Sequence, residues 1–263
     1  MNLTSILISA AVIAAVGLIV GLGLGIFGNK FKVEKSARET LIRKELPGNN
    51  CGGCGYPGCD SLAKAINEGL AGPNACPVGG MKVGSKIAEI LGIESVNAVR
   101  KVAYVRCNGT CDAISVKSVY YGIKDCSNAV VVPGGAEKAC RYGCWGYGSC
   151  VKACQFDAIH IINGVAVVDP EKCTSCGKCT RVCPNGLIEL VPYDAQYHVT
   201  CMSREKGRDV MQKCKNGCIG CGICTKQCES AAVSLENNLA RIDYEKCISC
   251  GKCAEKCPKH IIL

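Results

Sequence analysis

The chain opens on an almost unbroken apolar run, Leu3 to Phe27, that carries no charged residue. At about 1.5 Å rise per residue such a run is long enough to span a bilayer as one helix. No basic residue precedes it, whereas Lys30, Lys32, Lys35, Arg38, Arg43 and Lys44 follow it. A cleaved secretory signal has basic residues first and a small-residue cleavage site last. The order here instead predicts an uncleaved single-pass anchor in the plasma membrane, N-terminus outside and the bulk of the chain on the cytoplasmic face. Gly17, Gly21 and Gly25 recur every four residues, a spacing that lets another helix approach closely. Beyond the run, Phe31, Val33, Ala37, Leu41 and Ile42 stand among lysines and glutamates as in a charged helical stalk, closed by Pro47-Gly48.

The pattern then shortens. Asp60-Ser61 reads as the cap of a short helix that buries Leu62, Ala63 and Ile66. A second helix runs from Lys82, uses Val83, Ile87 and Leu91, and stops at Gly92. Lys101 to Arg106 reads as a strand. Ala158 to Val168 alternates around Asn163-Gly164 and predicts a hairpin, and Ala232 to Ile242 does the same around Asn237-Asn238. The expected fold class is α+β. Residues 1–28 are the anchor, 29–46 the stalk and 47–93 a small four-cysteine domain. Residues 94–139 connect it to two ferredoxin-like modules, 140–193 and 214–263, joined by a linker at 194–213.

Composition changes this picture in one respect. With 3 Phe, 1 Trp and 31 Gly, the chain cannot build one large apolar core, yet it holds 25 cysteines among 263 residues. The odd count and the close spacing oppose a disulfide framework, and in a reducing compartment such density reads as metal binding. Cys51-Gly-Gly-Cys54-Gly-Tyr-Pro-Gly-Cys59, with Cys76-Pro77 further on, has the glycine freedom to wrap a cubane.

Adding 74 to Cys140, Cys144, Cys150, Cys154, Cys173, Cys176, Cys179 and Cys183 gives Cys214, Cys218, Cys224, Cys228, Cys247, Cys250, Cys253 and Cys257. Eight matches without a gap identify an internal repeat. Cys173-x2-Cys176-x2-Cys179-x3-Cys183-Pro184 is the bacterial ferredoxin run, in which the fourth cysteine serves the neighbouring cluster. The same rule groups Cys218, Cys221, Cys224 with Cys257; Cys228 with Cys247, Cys250, Cys253; and Cys154 with Cys173, Cys176, Cys179. Tyr147 stands where the repeat has Cys221, so Cys144, Cys150 and Cys183 lack a ligand. Either Cys140 supplies it, and Cys107, Cys111 and Cys126 take a fourth from Cys201 or Cys214. Or Cys140 joins Cys107, Cys111 and Cys126, and Cys201 or Cys214 completes the ferredoxin site. Both arrangements predict six [4Fe-4S] clusters and one spare cysteine. Zinc in four-cysteine sites is the alternative filling, although zinc ribbons use two separated pairs. His160, His198 and His260 stand alone and read as surface or packing residues. Trp145 and Tyr147, between ligands, are expected to keep water from the site.

No catalytic residue emerges: there is no dinucleotide-binding glycine motif after a strand, no P-loop, and no nucleophile paired with histidine. The anchor, the Cys51–Cys76 loop and the duplicated ferredoxin runs, in that order, resemble the B component of the Rnf ion-translocating complex, in the long form of clostridia-like anaerobes. The resemblance implies a subunit of a ferredoxin:NAD oxidoreductase that takes electrons from soluble ferredoxin. It also implies flavin-bearing and membrane partner subunits that reduce NAD and pump Na+ or H+. Order along the chain makes the Cys51–Cys76 cluster, nearest the anchor, the exit for electrons. A membrane-tethered polyferredoxin serving a hydrogenase or carbon monoxide dehydrogenase is the other reading. The formal charge of +9 suggests nucleic acid at first sight. Six clusters at about −2 each would bring the loaded chain to about −3, so no nucleic-acid partner is expected.

Overall fold

The computed structural model describes residues 3–30, 36–93 and 99–263. Helix α1, Leu3–Lys30, runs for 28 residues. Its side chains are described at Ile8 and over residues 11–26. Each large apolar one there is exposed, from Val20 at 53% to Ile13 at 72%. Among the described residues no helix is long and apolar enough to cross a membrane.

The first compact unit contains three helices, α2 (Ala37–Glu45), α3 (Cys59–Asn67) and α4 (Gly80–Leu91). Ser36 caps α2, its hydroxyl accepting the Glu39 amide at 3.0 Å. Of the expected charged helical stalk, Ala37–Glu45 is helical, but its inner face packs on the domain that follows; Phe31 and Val33 lie outside the described residues. Ile42 and Leu46 face α3 and α4 and are buried with Leu62, Ile66 and Ile87. Removing Ile42 from water stabilises the unit by about 1.5–3 kcal/mol. Arg43 to Asp60 (3.1 Å) and Lys86 to Glu45 (2.8 Å) tie the same helices at the surface. Asp60 is therefore not the expected cap. Gly58 occupies that position, and Asp60 sits in the first turn. Helix α4 begins two residues before the expected Lys82 and ends where expected, at Gly92 in the left-handed conformation.

The rest is built from short pieces. Strand β1 is Lys101–Val105, α5 Cys126–Ala129, α6 Ser149–Ala153, β2 Ile159–Ile162, β3 Val165–Val168, α7 Lys178–Val182 and β4 Ile188–Pro192. Then come α8 (Gly207–Lys213), α9 (Ile223–Lys226), β5 (Val233–Glu236), β6 (Leu239–Ile242) and α10 (Lys252–Glu255). Both predicted hairpins form, β2–β3 and β5–β6, with Ile162 opposite Val165 and Glu236 opposite Leu239. Their turns place Asn163, Gly164, Asn237 and Asn238 all at positive φ, as a two-residue type I′ turn requires. The predicted strand β1 pairs antiparallel with β4, Val105 opposite Ile188. The second module repeats this pairing in miniature, with a single bridge between Val199 and Ile262.

The two modules meet through Arg106, which is only 5% exposed. Its guanidinium lies 3.4 Å from Glu189 of the first module and donates to the carbonyls of Val199 and Ala240 in the second. Cysteines are part of each interior: Cys144, Cys150 and Cys179 in one cluster of buried residues, Cys201, Cys218, Cys224, Cys253 and Cys257 in another.

Candidate iron–sulfur centres

Each ferredoxin run follows the same local logic. A loop with a positive-φ glycine (Gly148, Gly177, Gly222 or Gly251) turns the chain into a helix of one turn or slightly more, and the helix carries a buried cysteine. Cys150 lies within α6 and Cys154 follows at its end; Cys179 and Cys183 are placed likewise on α7. One short helix thus presents cysteines to two neighbouring hollows.

Four hollows of 320 to 400 Å3, counting the part open to solvent, are each lined by four cysteines. The first holds Cys154, Cys173, Cys176 and Cys179; the second holds Cys218, Cys221, Cys224 and Cys257. Both are the sets the ferredoxin spacing predicts. Cys253 lies among Cys247 and Cys228, and Cys76 among Cys59 and Cys54, again in keeping with the spacing.

The remaining two hollows depart from both arrangements read from the sequence. Cys126 joins Cys144, Cys150 and Cys183. Cys107 and Cys140 join Cys201 and Cys214. The expected Cys107/Cys111/Cys126 group is not assembled. The physical reason is an insertion. The segment from Cys107 to Cys140 is far longer than its counterpart from Cys201 to Cys214. The extra length loops out and returns Cys126 to the first module, filling the place left by Tyr147. Asp125 fixes it there. Its carboxylate accepts from Ser127 N and the Ser149 hydroxyl (2.9 Å each) and pairs with Lys152 (2.8 Å), while Ser149 Oγ accepts the Cys126 amide at 2.9 Å. Lys152 above all, then Ser149, holds the Asp125 carboxyl down to about 2. Cys111 is exposed. A methyl group on Gly164 would lie 2.6 Å from its sulfur, which places it over the β2–β3 turn. Trp145 lines the Cys126 hollow. The Tyr147 ring lies 5.4 Å from that of Tyr120. His198 packs on Tyr104 at 4.1 Å and meets the Tyr244 hydroxyl at 2.9 Å.

The donor set fits a cubane. Backbone amides point at sulfur from Gly79 to Cys76 (3.4 Å), Ala103 to Cys173 (3.3 Å) and Leu187 to Cys183 (3.4 Å). Such bonds suit a thiolate that a metal centre keeps ionised. Burial pushes the free thiols the other way, Cys150 up to about 12 and Cys179 and Cys224 up to about 11. Ionising them therefore calls for a cationic core. Among the described residues no three His, Cys, Asp or Glu side chains stand close enough to hold a single ion.

The sites also touch. A methyl group on Gly53 would lie 2.7 Å from the carbonyl oxygen of Cys176. The Cys51–Cys59 loop is thus in backbone contact with the Cys173–Cys179 loop. The Cys144 amide donates to Cys107 Sγ at 3.2 Å, and the Cys218 amide to Cys201 Sγ at 3.3 Å.

Three family profiles match parts of the chain. They are "Putative Fe-S cluster" over residues 46–78, "4Fe-4S binding domain" over 166–189 and "4Fe-4S dicluster domain" over 217–262. The chain is 48% identical over 245 residues to the B component of the Na+-translocating ferredoxin:NAD+ oxidoreductase complex of Acetobacterium woodii, covering 93% of this chain and 73% of that one. It is 41% identical over 246 residues to the B component of the ion-translocating oxidoreductase complex of Methanosarcina acetivorans, covering 93% of both. A third relative is the B component of the proton-translocating ferredoxin:NAD+ oxidoreductase complex of Clostridium ljungdahlii. That match is 38% over 244 residues, covering 92% of this chain and 85% of the relative.

Proposed function

The chain belongs to the family of B components of ion-translocating ferredoxin:NAD+ oxidoreductase (Rnf) complexes, and from that membership we propose that it carries electrons from ferredoxin to the membrane subunits through four-cysteine sites that adjoin one another within each half of the chain. A [4Fe-4S] cluster, when bound, supplies a one-electron carrier. Five sets of cysteines would hold such clusters by the ferredoxin and Cys51–Cys76 patterns: Cys51/Cys54/Cys59/Cys76, Cys154/Cys173/Cys176/Cys179, Cys126/Cys144/Cys150/Cys183, Cys218/Cys221/Cys224/Cys257 and Cys228/Cys247/Cys250/Cys253.

The observation that carries this reading is the order in which the sites touch. Gly53 seats the first set against the second. Helices α6 and α7 each carry cysteines of the second and third. Helices α9 and α10 carry Cys224 and Cys253, and Cys228 and Cys257 follow two residues after their ends, so the last two sets are linked in the same way. The far end, where Cys250 is exposed beside the exposed Ile248, is where a soluble donor docks. The Cys51–Cys76 end, nearest α1 along the chain, is the exit.

Helix α1 serves as the anchor in this reading. A helix whose apolar side chains are exposed on every side needs lipid or protein around it. In this reading the basic residues that follow favour the cytoplasmic side for the cluster-bearing part. Flavin and NAD sites belong to other subunits.

The test uses the whole complex in membrane vesicles, with the Cys54→Ser and Cys250→Ser variants. With ferredoxin as donor, Cys54→Ser should leave the other sites reducible and abolish NADH formation. Cys250→Ser should slow reduction of every site. The reverse pattern overturns the direction, and normal NADH formation in both overturns the relay.

A further inference from the structure

Cys107, Cys140, Cys201 and Cys214 are among the nine cysteines that lie outside all three matched family regions. The structure brings them together between the two modules, around a hollow of about 390 Å3, within the range of the three other four-cysteine hollows. They are paired by symmetry. Cys214 is the repeat partner of Cys140 at the common offset of 74. Cys201 is the partner of Cys107 in space, although the insertion makes the step 94. Each of these two follows a strand residue by two positions, Val105 paired with Ile188 and Val199 bridged to Ile262. Each sulfur accepts two backbone amides. Gly109 and Cys144 donate to Cys107 at 3.4 and 3.2 Å; Ser203 and Cys218 donate to Cys201 at 3.4 and 3.3 Å. The modules are also sewn together beside the hollow, Asn108 N donating to Thr200 O and Asn216 Nδ2 to Asn108 O, both at 3.0 Å.

We propose that Cys107, Cys140, Cys201 and Cys214 hold a sixth [4Fe-4S] cluster, with two ligands from each module, which joins the sites of one module to those of the other. Two features favour it over four idle thiols or a zinc ion. A neutral thiol is a weak acceptor, yet two of these sulfurs take two amides each, an arrangement suited to thiolates. Among the described residues no trio of ligating side chains is tight enough for a single ion. Position supplies the function. The amides of Cys144 and Cys218, first cysteines of the two flanking sites, both point at this hollow's sulfurs. Without it, the second module is joined to the first only by side chains and backbone, and the relay proposed above has a gap in its middle.

The proposal rests on that relay reading, and the measurement separates the two. Whole anaerobic chain, purified in detergent, is analysed for iron, sulfide and zinc. About 24 iron and 24 sulfide without zinc support a sixth cluster. About 20 iron, with or without one zinc, overturns it and leaves the relay of five. A value far below 20 that is unchanged by Cys179→Ser overturns the relay itself. Cys201→Ser and Cys140→Ser should each lose about four iron and one EPR signal, whereas Cys111→Ser should lose none. Full iron in Cys201→Ser, or a loss of four in Cys111→Ser, overturns the assignment. If the serine variants do not fold, alkylation of the native loaded chain with iodoacetamide replaces them. Modification confined to Cys111 supports the proposal, and labelling of any of the four alongside it counts against the cluster.

Discussion

Replacing Gly53 by alanine adds one methyl group at the junction between the Cys51–Cys76 domain and the first ferredoxin module. The methyl would stand 2.7 Å from Cys176 O and 3.0 Å from its Cα and Cβ. Non-bonded atoms pack at about 3.5–4.0 Å, so the two loops must part by about 1 Å. Gly53 is not among the residues at positive φ, so alanine adopts its backbone without strain and the effect is purely steric. Overpacking of this kind costs about 1–3 kcal/mol. Here it falls on the contact between the Cys51–Cys76 domain and the first ferredoxin module, whose buried clusters are distinct, and both should retain their iron. Electron tunnelling decays exponentially with distance, so transfer into the Cys51–Cys76 site should slow while the other sites reduce at the normal rate. Freeze-quench EPR of the whole complex, mixed with reduced ferredoxin, reads this directly. Amide exchange across residues 173–177 should rise in parallel. Unchanged transfer and unchanged exchange in Gly53→Ala would show that these loops are not the junction, and the proposed exit route would break at its last step.

Four further outcomes follow from named contacts. Cys126→Ser should lose about four iron, and adding Tyr147→Cys, which restores the cysteine found at 221 in the repeat, should recover them; an iron count on the single and double variants decides. Arg106→Met strips the Val199 and Ala240 carbonyls of their donor, at a cost of about 1–3 kcal/mol, and should split the denaturant transition of the loaded chain into two. Burial holds the His198 imidazole below its ordinary pKa. The unfolded chain therefore binds a proton that the folded chain refuses, and stability from this group is full above about 6.5 and declines below it. Denaturant melts at pH 7.5 and 5.5 should differ less in His198→Phe. Gly164→Ala forces a side chain against Cys111 at φ +74 and should destabilise by about 1–3 kcal/mol, with part of the loss relieved in a Cys111→Ala background.

The ferredoxin motifs are legible in the sequence because their ligands are local: three cysteines at x2 spacing must share one loop, and the fourth sits on the adjoining helix. The hairpins are legible for the same reason, since Asn163-Gly164 and Asn237-Asn238 dictate their own turns. The ligand sets around Cys126 and Cys107 are not. They depend on where an insertion of irregular backbone returns, and neither hydrophobic periodicity nor spacing encodes that. A signal exists for Cys107 and Cys201. Both follow short alternating runs, Val102–Val105 and Tyr197–Val199, but the offset that relates the other cysteines does not relate these two, because the insertion shifts them. Helix α2 reads as a solvated stalk because its outward face is highly charged, and one buried isoleucine, Ile42, decides its packing. The pairing of β1 with β4 spans the insertion and almost the whole first module, and it leaves no local trace.

The buried clusters of this chain are assembled partly from sulfur. Cys144, Cys150, Cys179, Cys201, Cys218, Cys224, Cys253 and Cys257 stand where a protein of ordinary composition would place leucine or phenylalanine. Short helices and two-stranded sheets cannot make up the deficit. An iron–sulfur centre bound by these cysteines would complete each interior, and cluster binding would then be coupled to folding. A cell short of iron, or one whose clusters are stripped by oxygen, would hold this subunit as an open chain ready for proteolysis. The stock of electron carriers at the membrane would then track the iron supply, without any dedicated sensor.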